Sequence, residues 1–286
     1  MTITNKMNLP EAMVRACETK AHNSSGYISA TTLLKGVKET ILTRRHWNEF
    51  TDDVSDRIWA IFGTAVHSML EHESPDTFTE ESVSVEIPFT GYTVTGRIDC
   101  YDMKAGSIED YKTASCWKVI YKDFDDWYKQ GMIYAYLMKC NGFDIKQCRF
   151  IAMLKDWSKS KARHDASYPQ SPVYVYQFNT TEKDFADIEV FIVQKVNAIK
   201  LCDDFSDDEI TECTKEERWA KDDVYAVMKT GRKSAIKLYD NEDEAKARAA
   251  EEKGYVEKRD GVSTKCMEYC TACDYCHFYK SIKGDE

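Results

Sequence analysis

Hydrophobic and polar positions change period several times along the chain, and each change marks an element. Val94, Gly96 and Ile98 alternate with Thr95, Arg97 and Asp99, the two-residue repeat of a half-buried strand. Residues 102–106 read as a tight hairpin connection, and a second strand from about Ser107 to Lys112 returns antiparallel. From about Phe124 to Cys140, Trp127, Met132, Tyr134, Leu137 and Met138 recur near the helical period and predict an amphipathic helix. Upstream, Ile58 to Glu71 predicts a mostly buried helix, and Ser29 is a suitable N-cap for a helix within 27–50. Downstream, Phe150–Leu154 reads as a strand running into the polar turn Lys155-Asp156-Trp157-Ser158, and a loop at 168–172 precedes an alternating strand, Val173–Phe178. A long amphipathic helix over 181–201, a strand-turn-strand over 223–240 and a helix from Glu242 to Lys253 complete the pattern. The order predicts an α/β fold: a central mixed β-sheet of about four to five strands with helices on both sides, and a small C-terminal α+β part.

Length and charge refine this. At 286 residues, one large domain with an appended subdomain is expected. The acidic block Asp203, Asp204, Asp207, Asp208 and Glu209 suggests a linker near residue 200, giving a core over 1–200 and an acidic α+β subdomain over 201–286. A net charge of −10 argues against a protein that coats DNA by bulk charge, though a local basic groove remains open. Lys35, Lys38, Arg44, Arg45, Lys118 and Lys122 are basic positions around the core elements, and Lys155, Lys159, Lys161 and Arg163 form a basic run. No apolar run is long enough to span a membrane and the N-terminus carries no apolar signal core, so a cytoplasmic location is expected. No phosphate-binding Gly-x-x-x-x-Gly-Lys loop is present, so any ATP-driven unwinding would come from another protein.

Candidate chemistry concentrates at 96–134. Side chains alternate faces along a strand, so Asp110 and Lys112 share a face and Tyr111 points the other way. If the hairpin pairs in that sense, Asp99 converges on the same place. Two carboxylates suit Mg²⁺ or Mn²⁺, and a neighbouring lysine can orient water or offset charge at a phosphate. Gln130 and Tyr134, four apart, share one helix face. His67 and Glu71 have the same spacing on the upstream helix and are candidates for the same pocket; Glu86 is a weaker one.

Cysteine is heavily used, with 11 residues. Cys17, Cys100, Cys116, Cys140, Cys148 and Cys202 stand alone and read as buried small side chains in a reducing compartment. Cys266, Cys270, Cys273 and Cys276 are crowded together at the C-terminus, which points to a metal. Zinc ribbons usually show two separated pairs, whereas these short steps are closer to an iron–sulfur run; Zn²⁺ remains the alternative to a [4Fe-4S] cluster.

Four pieces, Gly63-Thr-Ala-Val-His67, Gly96-Arg-Ile-Asp99, Asp110-Tyr-Lys112-Thr and Gln130-x-x-x-Tyr134, occur in the order seen in RecB-type PD-(D/E)XK nucleases, and over about residues 27–155 the chain resembles that family, including CRISPR-associated RecB-like exonucleases and phage-encoded relatives. The resemblance implies a restriction-endonuclease-like core and a metal-dependent deoxyribonuclease, an exonuclease on DNA ends in recombination, repair or phage DNA metabolism. It implies His67, Asp99, Asp110 and the main-chain carbonyl of Tyr111 as metal ligands, Lys112 as the catalytic lysine, and Gln130 and Tyr134 as groups that position DNA. DNA ends or single strands would be the substrate, and a helicase or recombinase a partner. The resembled branch also holds iron–sulfur clusters through one distant cysteine and a closing group of three. Cys213 would be that distant ligand, with Cys266, Cys270 and Cys276 closing the set and Cys273 spare. In the CRISPR-associated members the lone cysteine precedes the core, where this chain has Thr40 and Thr43. The alternative is a catalytically silent nuclease-fold module that binds DNA or protein.

Overall fold

The computed structural model describes residues 1–17, 26–70 and 77–283. The chain begins with β1 (Thr2–Thr4), α1 (Glu11–Cys17), β2 (Tyr27–Ser29), α2 (Ala30–Leu33) and α3 (Val37–Arg45). Then come β3 (Thr51–Asp53), α4 (Ile58–Leu70), β4 (Thr77–Ile87), β5 (Tyr92–Asp102), β6 (Ser107–Ala114), α5 (Cys116–Ile120) and α6 (Asp125–Cys140). Next are β7 (Gln147–Leu154), α7 (Lys159–His164), β8 (Val173–Asn179) and α8 (Glu182–Leu201). The last part holds β9 (Val224–Met228), β10 (Lys237–Tyr239), α9 (Glu242–Glu252), β11 (Tyr255–Arg259), α10 (Thr264–Glu268) and α11 (His277–Lys283).

The elements fall into two compact units, the first holding residues 1–35 and 46–204, the second 36–45 and 205–286. The first is a mixed six-stranded sheet flanked by helices, ordered β2-β5-β6-β7-β8, with β4 also paired to β5. The sequence expectation of four to five strands falls short by β2, three residues long and joined to β5 in parallel, and by β4, which runs antiparallel along β5 with Val83, Val85 and Ile87 on one face. β5 and β6 form the expected antiparallel hairpin, β6 and β7 are parallel, and β8 returns antiparallel.

α6 docks on this sheet through Trp127, Met132, Ile133, Leu137 and Met138, all buried. Two glycines permit the close approach. A Cβ on Gly96 would stand 3.0 Å from side-chain atoms of Leu137 and Tyr134, and one on Gly131 would stand 3.0 Å from the rings of Phe150 and Phe178. Trp127 stacks on Phe150 at 5.6 Å between ring centroids. α8 begins with a capping box in which Thr181 and Asp184 satisfy each other's main-chain amides, so its entry point is fixed locally.

One feature departs from the sequence reading. α4 is helical and apolar as expected, yet none of its side chains is buried. The helix contacts the preceding 3₁₀ turn and β6, and an apolar period cannot distinguish a partly exposed helix from a covered one. Glu71 lies outside the described residues.

In the second unit, β9 is flanked antiparallel by β10 and β11, and α9 packs Ala245 and Ala249 against Val227. This unit also takes in α3, which the sequence reading assigned to the core. Lys38 donates to the carbonyl of Ile210 at 2.9 Å, Glu39 pairs with Lys265 at 2.6 Å and Arg45 with Asp207 at 2.7 Å. Lys38, Glu39 and Lys265 are thereby engaged in holding the unit together. Among the described residues, no helix is long and apolar enough to cross a membrane.

Candidate active site

The main-chain ladder between β5 and β6 runs only from Cys100–Glu109 to Asp102–Ser107. Just beyond it, the amide of Tyr111 donates to Asp99 Oδ2 at 2.9 Å. A side-chain carboxylate thus takes the role that a strand carbonyl would fill, and Asp99 is held at the point where the two strands part. Its other oxygen, Oδ1, lies 3.2 Å from His67 Nδ1. That contact raises the imidazole above its ordinary value, chiefly through the hydrogen bond that its ring N–H donates to Asp99 and against the cost of burial.

Asp110 is buried, and Lys112 Nζ stands 2.5 Å from its Oδ1. Oδ1 nonetheless accepts no hydrogen bond of ordinary geometry. Oδ2 accepts from Gln130 Nε2 at 3.4 Å, and the same amide donates to Tyr134 Oη at 3.0 Å. Burial raises the Asp110 carboxyl, opposed by the ammonium of Lys112 and reinforced by the charge of Asp99. Tyr134 is likewise pushed up, first by burial and then by Asp110. Lys112 also sits 5.6 Å from the centroid of the Phe150 ring.

His67, Asp99, Asp110, Lys112, Gln130 and Tyr134 therefore form one connected group, with α4, β5, β6 and α6 each supplying members. Glu86 does not join it: it pairs with Thr93, six residues along β5 from Asp99, or about 20 Å of extended strand. The Tyr111 side chain turns away towards Cys100, as strand alternation requires, and burial pushes its hydroxyl up to about 12.

The carboxylates suit a divalent cation on chemical grounds. Asp110 is buried beside a second carboxylate whose charge raises it further, an arrangement that added positive charge relieves. Asp99 is engaged with His67 and Asp110 with Lys112, and among the described residues no three His, Cys, Asp or Glu side chains are drawn together tightly enough to hold an ion as they stand.

The second unit contains the other candidate centre. Cys213, Cys266, Cys270, Cys273 and Cys276 line one cavity with Glu39 and Arg218. All are free thiols. Burial pushes Cys270 up to about 12 and Cys266 up to about 11, with neighbouring thiols adding to the latter. Two observations match an anionic metal–thiolate group. Arg218 has buried Nε and Nη1 atoms without a hydrogen bond, its Nη1 lying 3.6 Å from Glu212. Gly36 leaves room for Cys213, since a Cβ there would stand 2.4 Å from its sulfur. An all-thiol donor set selects a soft metal over Mg²⁺. Neither Gly36 nor Arg218 carries a local sequence signal; only the folded arrangement marks them. Of the isolated cysteines, Cys140 departs from the expectation of burial, because it closes α6 on the exposed side.

No family model and no curated protein matches the chain. Among solved structures, that of SSO0001 is similar over 67% of this chain and 82% of its own, at 16% identity and a TM-score of 0.45. The alkaline exonuclease LHK-Exo from Laribacter hongkongensis is similar over 62% of this chain and 89% of its own, at 12% identity and a TM-score of 0.36. A phage related exonuclease from Haemophilus somnus 129PT is similar over 60% of this chain and 75% of its own, at 13% identity and a TM-score of 0.32.

Proposed function

We propose that this chain is a divalent-metal-dependent deoxyribonuclease, an exonuclease that hydrolyses phosphodiester bonds at DNA ends. The observation that carries this reading is the buried Asp110 carboxylate with Lys112 at 2.5 Å and Asp99 close enough to raise it. An acid, a second acid and an amine at the parting of two strands is the donor set that phosphoryl hydrolysis needs. Asp99, Asp110 and His67 would hold Mg²⁺ or Mn²⁺, with the Tyr111 carbonyl as a further ligand. The cation supplies positive charge that offsets the negative charge developing on the phosphate.

The remaining work belongs to this chain's own groups. Lys112 orients the attacking water and steadies the phosphate oxygens as a point charge. Gln130 fixes Asp110 through its amide and ties that carboxylate to Tyr134, so the base of the site is rigid before substrate arrives. Asp99, anchored by the Tyr111 amide, keeps its second oxygen turned to His67. Recombination, repair or phage DNA metabolism would supply the substrate, with a helicase or recombinase as the partner that opens the duplex.

Cys213, Cys266, Cys270 and Cys276, with Cys273 spare, would hold a [4Fe-4S] cluster that fastens the C-terminal segment of the second unit; Zn²⁺ is the other metal these thiols suit. Anaerobic purification followed by a visible spectrum and metal analysis separates the two. On the same preparation, end-labelled linear DNA should lose label in Mg²⁺ or Mn²⁺ while circular DNA is spared. Tight binding to DNA ends without cleavage in any divalent ion would favour a silent binding module instead.

A further inference from the structure

α4 presents large apolar side chains to solvent beside the candidate site. Trp59 is 57% exposed, and Phe62 is packed edge-on against it at 6.3 Å between centroids. Lys155, from the turn after β7, places its ammonium 4.4 Å from the Trp59 ring. A second platform stands on α5, which follows β6 directly: Trp117 and Tyr121 are both exposed and stack at 5.6 Å with 18° between their planes.

Both platforms are tied to the strand that carries Asp110 and Lys112. The amide of Lys155 donates to the carbonyl of Ala114 at 2.9 Å. Asp156 accepts from Ser115 Oγ and from the amide of Cys116, both at 2.7 Å, and so fixes the start of α5. On α4, Gly63 faces Thr113 of β6 and His67 faces Asp99. Trp59 lies eight residues before His67, about 12 Å along the helix axis.

We propose that Trp59, Phe62, Trp117 and Tyr121, with Lys155 over Trp59, form a track on which unpaired nucleobases stack as a single DNA strand runs to the site of Asp110 and Lys112. The inference rests on the nuclease reading for its destination. Exposed ring faces match unstacked bases, since every base offers a π-face, whereas a duplex keeps its base faces inside. The lysine supplies phosphate attraction at the platform, and Lys159 and Arg163 extend the positive charge along the exposed α7. A second copy of the chain is a poorer occupant, because closing an apolar interface over Trp59 would bury the Lys155 ammonium.

The test measures binding of a short fluorescein-labelled oligothymidylate to the full chain in chelator, beside an abasic strand of equal length and a blunt duplex. Trp59→Ala and Trp117→Ala should each weaken oligothymidylate binding roughly 5- to 150-fold, with Trp59→Phe retaining most of it and the abasic strand hardly affected. Tryptophan fluorescence should be quenched by oligothymidylate, less so in each alanine variant. Unchanged affinity in both alanine variants overturns the track, as does equal affinity for the abasic strand. A dimer that Trp59→Ala dissociates without loss of strand binding also overturns it, assigning the patch to a second copy. Adding Mg²⁺ separates the two readings. Aromatic-dependent binding without cleavage leaves the track standing and rejects the nuclease; cleavage with aromatic-independent affinity does the reverse.

Discussion

Asp99 accepts the main-chain amide of Tyr111, so a carboxylate of the candidate site also completes the hairpin where the β5–β6 ladder ends. Asp99→Ala should destabilise the first unit by about 1–3 kcal/mol in urea unfolding, the cost of an amide left without its acceptor. Asp99→Asn retains an acceptor oxygen and should recover much of that stability while remaining impaired in metal-dependent activity. Equal stability of the two variants would show that the amide is satisfied elsewhere.

His67 gives the site a pH signature. Its folded value lies above the ordinary 6.5 because Asp99 favours the charged ring. A group raised on folding contributes stability that is fully present below the unfolded value, here about 6.5, and lost as pH rises through the higher folded value. In chelator, the difference in unfolding free energy between wild type and His67→Ala should therefore be largest below about pH 6.5 and diminish above it. A difference that grows with pH would contradict the assignment.

The aromatic layer under the site is a stability element. Phe150 is buried, stacks on Trp127 and lies beneath Lys112. Phe150→Ala should cost about 3–5 kcal/mol. Phe150→Leu should cost less, and chemical denaturation measures both.

The cysteine cavity depends on Gly36 for the room that Cys213 occupies. Gly36→Ala would drive a methyl group into Cys213. Metal affinity should fall by about 10- to 100-fold, read as metal content after dialysis against a competing chelator. Cys140→Ser, at an exposed thiol away from the cavity lining, should leave metal content unchanged.

Much of this architecture is legible locally. The two-residue alternation of β5 and the helical period of α6 come from burial on one face, and the α8 cap is written in Thr181 and Asp184. Asp110 and Lys112 share a face for the same reason. What escapes is partly long-range. β2 is a three-residue strand set by its pairing with β5, too short to show a period, whereas β4 carries the alternation of Val83, Val85 and Ile87 that marks a strand locally. α3 belongs to the second unit through Lys38, Glu39 and Arg45, whose partners lie more than 160 residues away. α4 has the composition of a covered helix, but its exposed aromatics are visible only once the neighbours are known.

The most direct test is release of label from end-labelled linear DNA in Mg²⁺ or Mn²⁺ by wild type, Asp110→Ala and Lys112→Ala, with circular dichroism matched across the three. The account predicts folded variants whose cleavage falls at least about 100-fold. Undiminished cleavage by both would contradict it.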